Sequence, residues 1–287
     1  MDRPALLRTL RRPLVEGLRR LDLLEPARWL RMVGVRAAAR ELRYRALGAP
    51  DKLPLPPRSL HELIVGTDRL TIHDYLWIGR GCADILLRLV REHDASLRTL
   101  EPALDFGCGC GRVMRHLWAA EPGLRIWGTD INTAQIAWCR AHLPFAAVEV
   151  NGPAPPLPFS GTMFGLAYAF SVFTHLPAEL QRPWLLELVR VLRPGGYLVL
   201  SFHGAAFASR LPPDERARFE AGDLVVRRPE DANLPDRYAT CAAYHPAAYV
   251  ADTFALGLTI LAHVPGEILD SARQVISQDV YLFRKPL

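Results

Sequence analysis

Between residues 102 and 202 short apolar runs alternate with helical patterns, and this alternation constrains the fold more than any other feature of the chain. Strands are expected at 102–106, 124–129, 145–150, 164–170 and 196–202, and helices at 112–120, 133–142 and 178–192. Neighbouring strands joined through a helix run parallel, because an antiparallel pair needs only a tight turn while a parallel pair needs a long crossover. The pattern therefore predicts an α/β chain with a doubly wound sheet. A helix at 246–256, a strand at 258–264 and a last strand at 275–284 close the chain. The segment 205–245, rich in Pro, Arg, Asp and Glu, breaks the rhythm and reads as an insertion at the rim.

Ahead of this body, residues 4–47 carry Leu6, Leu7, Leu10, Leu14, Leu18 and Leu21 three or four apart, a helical spacing interrupted by Pro13 and Pro26. Two or three short helices are expected there, followed by a proline-rich connector over 49–57 and a helix over 74–93. The division predicted is a basic helical extension over 1–60 and a body over 61–287. Residues 1–50 hold twelve arginines against five acids, a net +7, which leaves −2 for the remainder of a chain whose total is +5. The extension has three readings: a cover that shapes an acceptor pocket, a docking element for a membrane surface or acidic partner, or a solvated basic face.

Several classes are set aside. No apolar run reaches the roughly 18 residues that span a bilayer, and the N-terminus lacks the continuous apolar stretch of a secretory signal. A cytoplasmic protein is expected. The five cysteines are odd in number, and Cys108 and Cys110 have no second Cys/His pair at zinc-like spacing, so they read as reduced thiols and no metal is expected. The body is nearly neutral with no basic and aromatic stripe, which argues against nucleic acid.

The chemistry concentrates at Leu104-Asp105-Phe106-Gly107-Cys108-Gly109-Cys110-Gly111-Arg112. An apolar strand ends in an acid, three glycines alternate, and a helix begins. Glycines suit a loop that turns with positive φ and lets a ligand approach its backbone, and a helix N-terminus favours an anionic group. Gly128-Thr129-Asp130-Ile131-Asn132 ends the next strand, and an acid about 20 residues beyond such a loop reaches the ribose hydroxyls of an adenosine cofactor. Asp130 also reads as a helix cap, a task that Asn132 or Thr133 can take instead.

These two motifs, with Leu192-Arg193-Pro194-Gly195-Gly196-Tyr197-Leu198, resemble the pattern of class I S-adenosylmethionine-dependent methyltransferases. The resemblance is close over 100–204, looser over 246–285, and does not extend to 1–60 or 205–245. It implies a Rossmann-like seven-stranded sheet in the order 3-2-1-4-5-7-6 with the last strand antiparallel, and S-adenosylmethionine as cofactor. By position, Asp105 faces the methionyl amino group, and Gly107, Cys108, Gly109 and Gly111 form the loop that admits the methionyl part. Asp130 accepts from both ribose hydroxyls and Ile131 packs on the adenine. Asn151, followed by Gly152, stands where the family often has an acid for the adenine amino group; its carbonyl can accept the same bond. Phe170 and Ser171 lie against the cofactor.

Past the fourth strand, Phe173-Thr174-His175-Leu176-Pro177 contains no Asn/Asp-Pro-Pro-Tyr motif of amino-group methyltransferases. His175 resembles a histidine that many small-molecule members carry here, and it reads either as a general base or as a packing residue at a helix start. His203, after the fifth strand, lies at the carboxyl edge where ligands bind in open α/β sheets. Tyr75 and Trp77 read as lid or core residues, and Arg80 as a carboxylate partner or a surface charge. The expected reaction is methyl transfer to a hydroxyl or amine of a sugar, lipid-linked sugar or secondary metabolite. Two rivals remain: a non-catalytic cofactor-binding scaffold, and an NAD-dependent oxidoreductase, which would space its glycines Gly-x-Gly-x-x-Gly.

Overall fold

The computed structural model describes residues 35–65, 71–93, 95–228, 241–270 and 275–287. The helices expected in the first 34 residues, and the part of the rim insertion over 229–240, lie outside the described residues. The chain divides into two compact units, Met1–Trp77 and Ile78–Leu287.

In the first unit, α1 (Val35–Leu47) and α2 (Arg58–Val65) precede α3 (Ile72–Glu92), in which the division falls. Buried Glu41 joins α1 to the start of α3: Oε2 accepts from the Ile72 N–H at 2.6 Å, and Oε1 accepts from Arg45 Nε at 3.0 Å. Arg45 also donates to the Pro56 carbonyl at 2.8 Å, fixing the proline-rich connector. Tyr75 is fully buried and its ring packs on His61, so it is a core residue of this unit.

The second unit is built on a seven-stranded sheet. Its strands are β1 (Ala103–Phe106), β2 (Ile126–Asp130), β3 (Ala146–Val150), β4 (Phe164–Ala169), β5 (Leu192–Phe202), β8 (Thr259–Val264) and β11 (Asp279–Arg284), ordered β3-β2-β1-β4-β5-β11-β8. Numbered within the sheet alone this is 3-2-1-4-5-7-6, as the resemblance implies. The first five strands are parallel, and β11 runs antiparallel to both neighbours. Every residue of β1 and β4 is buried, which explains their continuous apolar sequences: a central parallel strand is covered on both faces.

Helices α4 (Met114–Ala120), α5 (Thr133–His142) and α6 (Ala178–Val191) connect the strands. In α6, Gln181, Trp184, Leu185, Leu188 and Val191 recur at helical spacing and turn inward; the apolar four join Phe106, Phe173, Phe202, Phe254 and Phe283 in the main core. Trp184 is anchored further by donating to the Pro153 carbonyl at 3.3 Å, and truncating it to alanine costs about 3–5 kcal/mol.

Three differences from expectation have an identifiable cause. Helix α4 starts at Met114 rather than 112, because residues 109–113 are spent in turns around Gly109 and Gly111. Strand β5 starts at Leu192 rather than 196: Phe164 pairs with Leu192 but Leu166 pairs with Tyr197, so Arg193–Gly196 bulge out, with Gly195 at φ 74°. The expected strand over 275–284 is two, since Val275–Ile276 (β10) folds back on Ile268–Asp270 (β9), and Ser277-Gln278 separates it from β11.

The described part of the rim segment comprises α7 (Ala205–Ala208), α8 (Pro213–Glu220) and the antiparallel pair β6 (Val225–Arg227) and β7 (Ala242–Tyr244). Phe207, Leu211, Phe219, Val225 and Tyr244 form a core of its own. It joins the sheet edge through a bridge between His203 and Tyr244, with the His245 N–H donating to the His203 carbonyl at 2.8 Å. Helix α9 (Ala247–Phe254) then leads to β8.

Candidate active site at the carboxyl edge of the sheet

The glycine loop leaves β1 and is pinned to β2, since the N–H groups of Gly107 and Cys108 both donate to the Thr129 carbonyl at 2.8 and 2.9 Å. Gly107, Gly109 and Gly111 all take positive φ, at 77°, 54° and 72°, a conformation that costs other residues about 1–2 kcal/mol. A Cβ on Gly107 would also collide with Val172, and one on Gly111 with Leu143. The loop thus needs its glycines for packing as well as for turning.

Two acids flank this loop. Asp105, next to last in β1, lies opposite Tyr168 on β4 and is only 3% exposed. Burial pushes its carboxyl up to about 8, against the downward pull of the nearby Tyr168 hydroxyl and the Arg112 guanidinium. The Tyr168 contact falls short of hydrogen-bond geometry: Asp105 Oδ2 and the Tyr168 oxygen are both buried without a hydrogen bond. Asp130 ends β2. Its Oδ2 accepts from the Gly109 N–H at 2.8 Å and its Oδ1 from the Asn132 N–H at 2.8 Å. Burial raises its pKa and these backbone bonds oppose the rise. Asn132 caps α5, accepting from the N–H groups of Ala134 and Gln135 at 3.0 and 3.1 Å. Asp130 is therefore relieved of the cap but not idle, because it ties the glycine loop to β2. The Ile131 N–H acts on the carboxylate in the same sense, and a carboxylate with about four lone-pair sites keeps acceptor capacity beyond these bonds.

Asn151 follows β3, and its N–H donates to the Asp130 carbonyl at 3.1 Å. Its Nδ2 donates to the Gly152 carbonyl at 2.8 Å, which leaves Oδ1 buried without a donor. Ile131 is half-buried beside it and Val150 is exposed. Ser171 follows buried Phe170 in a left-handed conformation, φ 62°. Its N–H donates to Ser201 Oγ at 2.8 Å, and both hydroxyls donate to Gln278 Oε1, at 3.1 Å from Ser171 and 2.6 Å from Ser201. Strain held by such a network is typical of ligand sites. Gln278 sits in the short break before β11, a position that no sequence motif marks.

His175 lies in the short 3₁₀ turn Phe173–His175. Its Nδ1 meets the Cys241 carbonyl at 3.1 Å. A carbonyl only accepts, so Nδ1 carries the proton and Nε2 keeps its lone pair. Burial lowers the His175 pKa and keeps the ring neutral at pH 7. The His203 ring stands perpendicular to it with centroids 6.2 Å apart, stacks on Phe207 at 4.2 Å, and has Nδ1 buried without a partner. Burial first, then the charges of His175 and Arg210, push His203 down to about 3. The structure thus brings the two histidines together. Val172, packed into the gap left by Gly107, ties their neighbourhood to the glycine loop.

Arg112 was unassigned in sequence, although it follows the third glycine directly. It is only 6% exposed, acts electrostatically on Asp105 and Cys82, and makes no hydrogen bond or ion pair among the described residues. Arg80 instead pairs with Asp84 at the surface, N to O 3.6 Å, with both side chains largely exposed. Among the described residues no His/Cys/Asp/Glu group is arranged to hold a metal, and no helix is long and apolar enough to cross a membrane.

The carboxyl edge of the Rossmann-like sheet thus carries an acid, a glycine loop and a second acid: Asp105, Gly107 to Gly111, and Asp130. Residues 104–200 match the family described as methyltransferase domain. Phthiotriol/phenolphthiotriol dimycocerosates methyltransferase of Mycobacterium leprae is 34% identical over 99 residues, 33% of this chain and 35% of that protein. Fatty-acid O-methyltransferase of Mycolicibacterium smegmatis is 33% identical over 119 residues, 41% of this chain and 42% of that protein. The chain thus spans about two-fifths of the length of the curated relatives it matches. Among solved structures, an S-adenosylmethionine-dependent methyltransferase from Mesorhizobium loti superposes with a TM-score of 0.49 at 17% identity, covering 66% of this chain and 95% of that one.

Proposed function

We propose that this protein transfers a methyl group from S-adenosylmethionine to a hydroxyl or carboxyl oxygen of a small, lipid-like acceptor. The observation that carries the reading is the set of unsatisfied buried groups along the carboxyl edge. Asp105 Oδ2, with its high pKa, suits a cationic amino group. Arg112 suits the neighbouring carboxylate of the same amino-acid zwitterion. Asn151 Oδ1 suits an adenine amino group. Between them the remaining acceptor capacity of Asp130 suits the ribose hydroxyls, with Ile131 and Val150 against the adenine. Gly107, Cys108, Gly109 and Gly111 provide the backbone approach, Gly152 the turn beyond Asn151, and Phe170 and Ser171 the wall against the cofactor.

The sulfonium supplies a methyl group already activated for displacement. The protein must align the reacting oxygen with that methyl and exclude water. His175, its proton fixed on Nδ1, takes the acceptor's proton on Nε2 when the acceptor is a hydroxyl. His203, whose pKa is too low for an effective base, accepts a hydrogen bond on Nδ1 and holds the acceptor in line. Two neutral imidazoles give an ammonium no counter-charge, which favours oxygen over an amine. Both curated relatives described above are methyltransferases, and one carries the words fatty-acid O-methyltransferase in its name.

Titration calorimetry of the purified protein with S-adenosylhomocysteine, with NAD as control, tests the cofactor. Binding of the first alone supports the reading. Binding of NAD alone moves the site to hydride chemistry, and binding of neither overturns both. A screen of fatty acids and hydroxylated lipids for transfer of labelled methyl then tests the acceptor. Transfer to amines alone would overturn the oxygen assignment.

A further inference from the structure

The N-terminal unit has a cleft of its own, about 470 Å³, on the face of α1 that carries Arg40, Arg43, Tyr44 and Leu47, with Pro50 and His73 completing its wall. Arg40 and Arg43 are one turn apart, both exposed, and neither makes an ion pair or hydrogen bond among the described residues. Three acids of the unit are engaged elsewhere: Glu41 by Arg45 and the Ile72 N–H, Asp51 by the Leu53 N–H, and Asp74 by the N–H and hydroxyl of Thr71. No acid among the described residues lines the cleft. Tyr44 stacks on His73 with its hydroxyl 3.4 Å from Nδ1, which sets a polar tip beside the two guanidiniums. Leu47, 75% exposed, and Pro50 give the cleft an apolar flank.

We propose that this cleft binds the anionic head of an amphiphile, a phosphate monoester or carboxylate carrying an alkyl chain. The forked donors of Arg40 and Arg43 match a phosphate or carboxylate oxygen pair, with the Tyr44 hydroxyl, shared with His73 Nδ1, as a further polar group of the wall. An inorganic anion would use the arginines but leave the apolar flank uncovered. A head group with its first methylenes covers both, and the volume falls in the range of small-molecule sites. The inference is independent of the methyl-transfer site and stands or falls without it.

Calorimetric titration of the full chain with dodecyl phosphate, kept below its micelle concentration, is the test, with inorganic phosphate and phosphatidic-acid vesicles as separate arms. Dodecyl phosphate is expected to bind at least as a micromolar ligand, and inorganic phosphate about tenfold or more weaker. Arg40→Gln and Arg43→Gln should each weaken dodecyl phosphate about tenfold, and Leu47→Asp should weaken it while leaving inorganic phosphate unchanged. All three positions are exposed, and unchanged binding of S-adenosylhomocysteine serves as the check that the variants are folded. Equal affinity for the two phosphates overturns the amphiphile assignment. Binding to vesicles alone, insensitive to both arginine substitutions, overturns the cleft and assigns the attraction to basic residues elsewhere.

Discussion

The two ends of the candidate site are both stripped of charge by burial, but in opposite senses. At the cofactor end Asp105 is lifted to about 8 and so holds a proton at neutral pH. At the acceptor end His203 and the adjoining His245 are each pushed down to about 3, and so hold none. An uncharged acid is poised to ionise when a cation arrives beside it. An uncharged imidazole with a fixed tautomer is poised to accept a proton or a hydrogen bond. Burial is the leading cause of both states. What distinguishes them is which ligand charge each one answers.

The largest expected effect follows from linkage. The unfolded chain protonates its histidines near 6.5, so stability is lost as pH falls from 6.5 toward 3, by up to about 1.4 kcal/mol per pH unit for each of His203 and His245. Asp105 works the other way. Between its unfolded value near 3.8 and about 8 the folded protein keeps a proton that the unfolded chain has released, so stability falls as pH rises through that window. Asp130, also raised, acts in the same sense. Urea denaturation between pH 4 and 7 should show a shallower loss on acidification for His245→Phe and a steeper one for Asp105→Asn. Parallel curves for both variants would erase the contrast between the two ends.

Next in size is the acceptor end itself. His175→Ala should lower turnover about 10²-fold with S-adenosylhomocysteine affinity unchanged. Near-normal turnover would leave the histidine a packing role only. At the cofactor end Asp130→Ala should weaken S-adenosylhomocysteine about tenfold or more, since the carboxylate both orders Gly109 and offers its remaining acceptor capacity. Full affinity in that variant would remove Asp130 from the ribose. The finest test counts protons. If an amino group docks against Asp105, binding at pH 7 expels up to one proton and affinity rises with pH up to about 8, by at most about tenfold per unit. Calorimetry in phosphate and in Tris reads this directly, and equal heats in the two buffers would separate Asp105 from the ligand's cation.

The two ends also differ in how far the sequence betrays them. The cofactor end is made by short contiguous motifs at strand ends: Asp105 with its glycines, Asp130 with Ile131 and Asn132, and Asn151 with Gly152. The alternation predicts a parallel doubly wound sheet, and its strand order is the 3-2-1-4-5-7-6 that the resemblance carried by these motifs implies. The acceptor end joins residues far apart in sequence, such as His175 with Cys241, and Ser171 with Ser201 and Gln278. No periodicity reports a contact across such distances. Arg112 escaped for another reason. Arginine is abundant throughout this chain, so one more beside a glycine loop carries no signal until its burial is seen. The break at Ser277-Gln278 was hidden because both flanking segments favour extended chain.

The proton on His175 is held in place by a main-chain carbonyl at position 241, not by a side chain. Any residue can present a carbonyl there, so long as the chain follows the same path. The side chain at position 241 is consequently open to drift, because it can change while the tautomer of His175 is inherited intact. Selection at this contact would act on the course of the backbone rather than on the identity of Cys241.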